Sequence, residues 1–168
     1  MDRRKRKTQN AIMSTFMELM AKKDVEKISI SEIAEMADVS RGTFYLHYID
    51  KYDLLEKCIE SSFDDLERVC ETTNSFDENM FEVTFDYFDK QKDTLKIIWK
   101  ADKEQIFKRK LSARISTNIQ TVMPNMDEVG ITFITAGVIG VIDYWFNNDN
   151  IAKEILSQRL SNVVKATV

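Results

Sequence analysis

Helix breakers are almost absent from this chain: 168 residues hold one proline, Pro124, and four glycines, Gly42, Gly130, Gly137 and Gly140. Against that scarcity, Lys, Glu, Asp, Leu, Ile and Met are abundant, and the combination argues for an all-α protein. The length suits one large domain, or a small domain joined to a larger one.

Charge is distributed unevenly. The net charge is −4, yet residues 1–50 carry nine Lys/Arg against eight Asp/Glu, and Arg3, Arg4, Lys5, Arg6 and Lys7 supply five of those nine. A basic tip on an acidic body suits a protein that touches phosphate at one end; a solvated charged tail reads equally well from the charge alone. Cys58 and Cys70 form no CxxC or Cys/His cluster, so no disulfide framework and no metal site are expected, and the setting reads as reducing and cytoplasmic. The charged start gives no signal-peptide pattern. The most apolar stretch, Val129 to Ile142, reads as too short to span a bilayer, so no membrane partner is expected.

Apolar spacing places the helices. Ile12, Phe16, Leu19 and Met20 fall on one helical face from Thr8 onward. Ser29 with Glu32 three residues later forms a capping-box pattern, Ser40 is placed to cap a third helix, and Asp50 a long fourth through Val69. A break at Asn74-Ser75 precedes helices carrying Phe81, Phe85 and Phe88, then Leu95 to Trp99. A helix over 103–122 ends before Pro124. The run "MDEVGITFITAGVIGVIDYWF" reads as a buried helix whose Gly130, Gly137 and Gly140 permit close contact with a neighbour, and a last helix starts at Ile151.

The stretch "ISEIAEMADVSRGTFYLHY" has the layout of a helix-turn-helix, whose second helix enters the DNA major groove. On a helical wheel Phe44 and Tyr48 share one side and Gly42 and Leu46 the other, with Arg41 and His47 on the flanks and Thr43 and Tyr45 beside the outer pair. Phe44 and Tyr48 would anchor the helix, while Gly42 would let its positive end approach something outside, a phosphate backbone being the obvious candidate.

From the basic arm through "AIMSTFMELM" and "ISISEIAEMADVSRGTFYLHYIDKYDLLEKCI", about sixty residues, the sequence resembles the TetR family of transcriptional regulators. The resemblance implies a dimeric, all-helical regulator with a DNA-binding domain, residues 1–60, and a helical domain, residues 61–168, for dimerisation and a small effector. By position it implies that Ser29 caps the second helix near a phosphate. Ser40, Arg41, Gly42 and Thr43 would face bases or backbone, and Tyr45, His47 and Lys51 would contact phosphates, with the arm along or in the neighbouring minor groove. Two departures stand out: Asp24 and Asp38 occupy positions where glycine is common in the family. Leu46 facing outward could meet a thymine methyl.

The C-terminal half is similar to a TetR subgroup with a "G-x-x-G…Y/W-W-x" helix that includes regulators of dihydroxyacetone kinase operons, seen here as Gly137, Gly140, Tyr144 and Trp145. Phe81, Phe85, Phe88, Trp99, Phe107 and Phe133 are candidate effector-pocket residues, with core packing the alternative for each. Gly137, Gly140, Tyr144, Ile151 and Ile155 are candidate dimer contacts, on the last two helices. The expected function is a repressor that binds an inverted-repeat operator as a homodimer and is released by a small molecule. An activator, or a regulator answering to a protein partner, is the alternative. The lone His47 sits without a nucleophile motif, so neither an enzyme nor a cofactor is expected.

Overall fold

Four local caps set the helix starts. Ser29 Oγ accepts from the Glu32 N–H at 3.2 Å, and Ser40 Oγ from the Thr43 N–H at 3.0 Å. Asp50 Oδ1 accepts from the N–H groups of Tyr52 and Asp53, and Asp127 Oδ1 from that of Gly130. Each satisfies a donor that a helix start leaves without a partner. The computed structural model describes residues 3–70, 78–103, 105–148 and 151–167, and among them are nine α-helices, one 3₁₀ turn and no strand. They are α1 (Arg3–Met20), the turn η1 (Val25–Lys27), α2 (Ile30–Met36), α3 (Arg41–Tyr45), α4 (Lys51–Cys70), α5 (Glu78–Lys90), α6 (Lys92–Ala101), α7 (Ile106–Val122), α8 (Glu128–Phe146) and α9 (Lys153–Thr167).

The fold differs from the sequence reading at three helix starts, one being α9, which begins at Lys153 rather than Ile151. Helix α1 begins at Arg3, not Thr8, so Arg3, Arg4, Lys5, Arg6 and Lys7 form its first turns rather than an extended arm. Helix α7 begins at Ile106, later than expected, because Asp102 receives the N–H groups of Ile106 and Phe107, each at 2.7 Å, and Gln105 turns left-handed at φ 55°. The expected break at Asn74-Ser75 lies outside the described residues.

The first three helices and the start of α4 close around one small core. Ile12 and Phe16 of α1, Ile33 of α2, Phe44 of α3 and Leu54 of α4 are all without solvent exposure. Burying such side chains is the main stabilising term, on the order of 1.5–3 kcal/mol each. Between α2 and α3 the chain turns through a Schellman motif: the Val39 N–H reaches Ala34 O at 2.9 Å and the Asp38 N–H reaches Glu35 O at 3.2 Å. That motif demands a left-handed residue, and Asp38 supplies it at φ 53°. Asp24, the other departure, sits at φ −61° and needs no glycine.

Helix α4 runs unbroken from this core into the second, formed with α5, α7, α8 and α9. Aromatic side chains fill it: Phe85 meets Trp145 edge-on at 5.5 Å, and Trp99 meets Phe146 at 5.2 Å and Phe107 at 6.0 Å. Asp143 ties three helices together, accepting from Trp99 Nε1 at 2.6 Å and Lys108 Nζ at 3.1 Å. These two donors, Trp99 first, hold its carboxyl below the usual carboxylate range. Helix α8 is longer than the apolar stretch suggested and by length and composition could cross a membrane. Its Ile131, Ile134, Val138, Ile142 and Trp145 are instead buried in the protein core, so it serves as a core helix.

Candidate nucleic-acid interface

Helix α3 is one turn and a half, held from behind and open in front. Phe44 is fully buried and Tyr48 nearly so, their rings 5.6 Å apart, while Arg41, Gly42, Tyr45 and Leu46 face solvent, Leu46 with 79% exposure. Burial pushes the Tyr48 hydroxyl up to about 12, so this anchor stays neutral. Although the regular helix ends at Tyr45, the Tyr48 N–H still reaches Phe44 O at 3.0 Å, which carries the helical turn through His47.

Gly42 is not required by the protein's own packing. A Cβ placed there would meet only Ser40 Oγ, at 3.6 Å, an ordinary contact, and the backbone is not left-handed. The space the glycine leaves open faces outward. Ser40 Oγ is also 2.9 Å from Thr43 Oγ1, so the two hydroxyls at the leading end of α3 fix each other.

The basic turns of α1 come to the other end of the same surface. Lys5 is near enough to His47 that, after burial, its charge is the second cause holding the imidazole pKa below its ordinary value. His47 Nδ1 is buried with no hydrogen-bond partner among the described residues. Neither feature was readable from the sequence, since residues 5 and 47 are joined only by the fold.

Lys51 is placed differently from the expectation. Its Nζ donates to Glu26 O at 2.8 Å and Ile28 O at 2.9 Å, so its ammonium ties η1 to the start of α4 rather than reaching outward. Ser29 caps α2 as expected. Glu32, three residues on, turns to Lys23 at 2.7 Å, and that bond lowers its pKa.

The second core contains a small cavity of about 40 Å³ between α4, α5, α7 and α8. Phe81 and Phe85 line it, with Thr84 and Asn118. The other four aromatic candidates are elsewhere. Phe88, Trp99 and Phe107 stack with one another's neighbours in the aromatic core, because the helix crossings turn them away from the cavity. Phe133 is 64% exposed on the outer side of α8, away from this cavity. A lining residue passed over in the sequence is Arg114, whose Nε is buried with no acceptor among the described residues. Its spacing was the available signal: with Leu111, Ile115 and Asn118 it falls on the inner face of α7.

The outer face of α8 is apolar. Val129, Phe133, Gly137, Gly140 and Tyr144, at steps of four, four, three and four, all face solvent, as does Ile155 on α9; Ile151 is half-buried. A Cβ at Gly137 or Gly140 would meet nothing within 4 Å. Gly130 is different, since a Cβ there would come within 2.9 Å of Met126 Cγ.

A helix-turn-helix with an outward recognition turn, mounted on a separate helical body, defines a DNA-binding transcriptional regulator. Residues 12–58 match the family described as bacterial regulatory proteins, tetR family, and residues 78–166 match a transcriptional regulator C-terminal region. The chain belongs to the TetR family. An uncharacterized HTH-type transcriptional regulator, YxbF, of Bacillus subtilis (strain 168) is 41% identical over 49 residues, 29% of this chain and 13% of that relative's length. A TetR transcriptional regulator from Streptococcus agalactiae 2603V superposes with a TM-score of 0.77 at 22% identity, covering 97% of this chain and 96% of that one. The dihydroxyacetone kinase operon activator DhaS superposes at 0.69 and 21% identity, covering 96% of both chains.

Proposed function

We propose that the chain is a homodimeric repressor that grips an inverted-repeat operator and releases it when a small molecule enters the α4, α5, α7, α8 cavity. Residues 1–60 act as the DNA-binding unit and residues 61–168 as the dimerisation and effector unit. The observation that carries the reading is the division of α3, with Phe44 and Tyr48 buried behind and Arg41, Gly42, Tyr45 and Leu46 open in front. Such a surface suits a major groove, where Arg reads guanine and an apolar side chain meets a thymine methyl. The basic first turns of α1 supply phosphate contacts beside it.

The exposed α8 stripe supports the dimer: two copies facing each other along Gly137 and Gly140 bring helices close and remove Val129, Phe133 and Tyr144 from water. Helix α4 supports the release, because Cys70 and Phe63 line the cavity while Lys51, at its other end, adjoins the DNA-binding core. Glu26 of η1 also pairs with Lys103, just after α6, so the two units are tied at a second point. A coupling of about 1–3 kcal/mol, typical of such systems, would change operator affinity by roughly 5–150-fold.

Gly137→Leu tests the assembly. One copy has room for the side chain, so circular dichroism is expected to stay unchanged. Light scattering is expected to show loss of the dimer, with operator affinity falling alongside; a variant that stays dimeric would move the interface off α8.

A further inference from the structure

The cavity that serves the proposed release is apolar but for one side. Thr84 and Asn118 engage only weak partners there, Cys70 Sγ at 3.6 Å and Met80 Sδ at 3.9 Å. Arg114 has no ion-pair partner among the described residues, and its Nε is buried with no acceptor. Guanidinium is always charged, and a buried donor on a charged group left without an acceptor is costly. Arg114 as a whole is half-buried, and its orphaned Nε calls for an explanation that an anion in the cavity supplies.

We infer that Arg114 is the anchor for a small carboxylate effector, whose short apolar tail packs against Phe81 and Phe85. Arginine holds a carboxylate with two parallel N–H···O bonds, and Thr84 Oγ1 and Asn118 Nδ2 add donors on the same lining. The cavity holds about 40 Å³, little more than one water. A carboxylate is the smaller of the common anionic headgroups, and any tail must push α5 away from α4. A ligand that prefers the expanded state shifts the population toward it, which is how occupancy would reach α4. Glu67 lines the same cavity, and its charge and that of Arg114 act in opposite directions on the Cys70 thiol. Glu67 is therefore a competing anion close to the anchor.

The regulatory consequence rests on the proposed release, whereas the binding site rests on the cavity alone, and the experiment separates them. Calorimetric titration of the full chain with hexanoate and with hexanamide is expected to show hexanoate binding at least about tenfold tighter. Arg114→Gln is expected to reduce hexanoate to the level of the amide, and Glu67→Gln to tighten hexanoate while leaving the amide unchanged. The Glu67 variant decides the matter even where the Arg114 variant does not fold. Equal binding of acid and amide, no binding by any straight-chain acid from acetate to octanoate, or full retention in Arg114→Gln would overturn the site. Hexanoate that binds through Arg114 but leaves operator affinity unchanged keeps the site and removes the proposed release.

Discussion

Replacing Gly42 with alanine separates what the recognition turn does for the fold from what it does for DNA. Within the chain the new methyl meets only Ser40 Oγ, at an ordinary 3.6 Å. Alanine in a helix is about 0.5–1 kcal/mol more favourable than glycine. For a domain of this size that raises the melting temperature by roughly 1–4 °C. On DNA the sign reverses. A methyl facing outward holds the sugar-phosphate backbone away from the leading end of α3, and loss of one hydrogen bond to a charged phosphate costs about 1.5–3 kcal/mol. That is roughly tenfold or more for each recognition turn, and a dimer has two. Thermal unfolding at fixed protein concentration and fluorescence anisotropy on operator DNA read the two effects independently. A variant that melts lower, or one that binds within about twofold of wild type, would refute the claim that the open space at Gly42 exists for DNA.

Asp38→Gly relieves the left-handed strain at φ 53° and is expected to stabilise the chain by up to about 1 kcal/mol, while Asp38→Asn, which tolerates that backbone as aspartate does, leaves stability nearly unchanged. Both remove a negative charge beside the turn proposed to face DNA. For a phosphate on the order of 10 Å away this tightens binding by about twofold for each half-site, read by anisotropy at low salt. His47 gives a pH dependence. Burial and Lys5 lower its folded pKa below 6.5, so the free protein keeps it neutral near pH 7, and its contribution to stability, complete above that value, declines as pH falls. A nearby phosphate favours the charged form, so DNA binding takes up a proton and affinity is expected to rise from about pH 7.5 to 6, a rise His47→Gln abolishes.

What the sequence disclosed follows from range. The caps at Ser29, Ser40 and Asp50 act over two or three residues, and the two-sided character of α3 is set by the 3.6-residue period, so both were legible without a structure, whereas the Asp127 cap was not read from it. Asp38 was flagged only through the family resemblance, which places glycine there, and the same signal at Asp24 corresponds to no left-handed residue. The cavity was not legible, since which aromatic side chain faces a gap depends on how helices cross. Phe133, Phe88, Trp99 and Phe107 are all apolar at helical spacing, yet one is exposed and three are in the aromatic core. Lys51 eluded the sequence for a related reason: the carbonyls of Glu26 and Ile28 that hold it belong to residues more than twenty positions away. The approach of Lys5 to His47 and the unpaired Nε of Arg114 are likewise products of tertiary packing.

Selection of bound duplexes from a random-sequence pool tests most directly whether α3 and the α1 turns read DNA as a symmetric pair. Two recognition turns facing successive major grooves on one side of the duplex, about 34–36 Å apart or somewhat more, require an inverted repeat. The expected result is enrichment of one such repeat, with enrichment lost when Arg41 is replaced by alanine. A pool that yields no inverted repeat, or the same sequences with Arg41→Ala, would contradict the account.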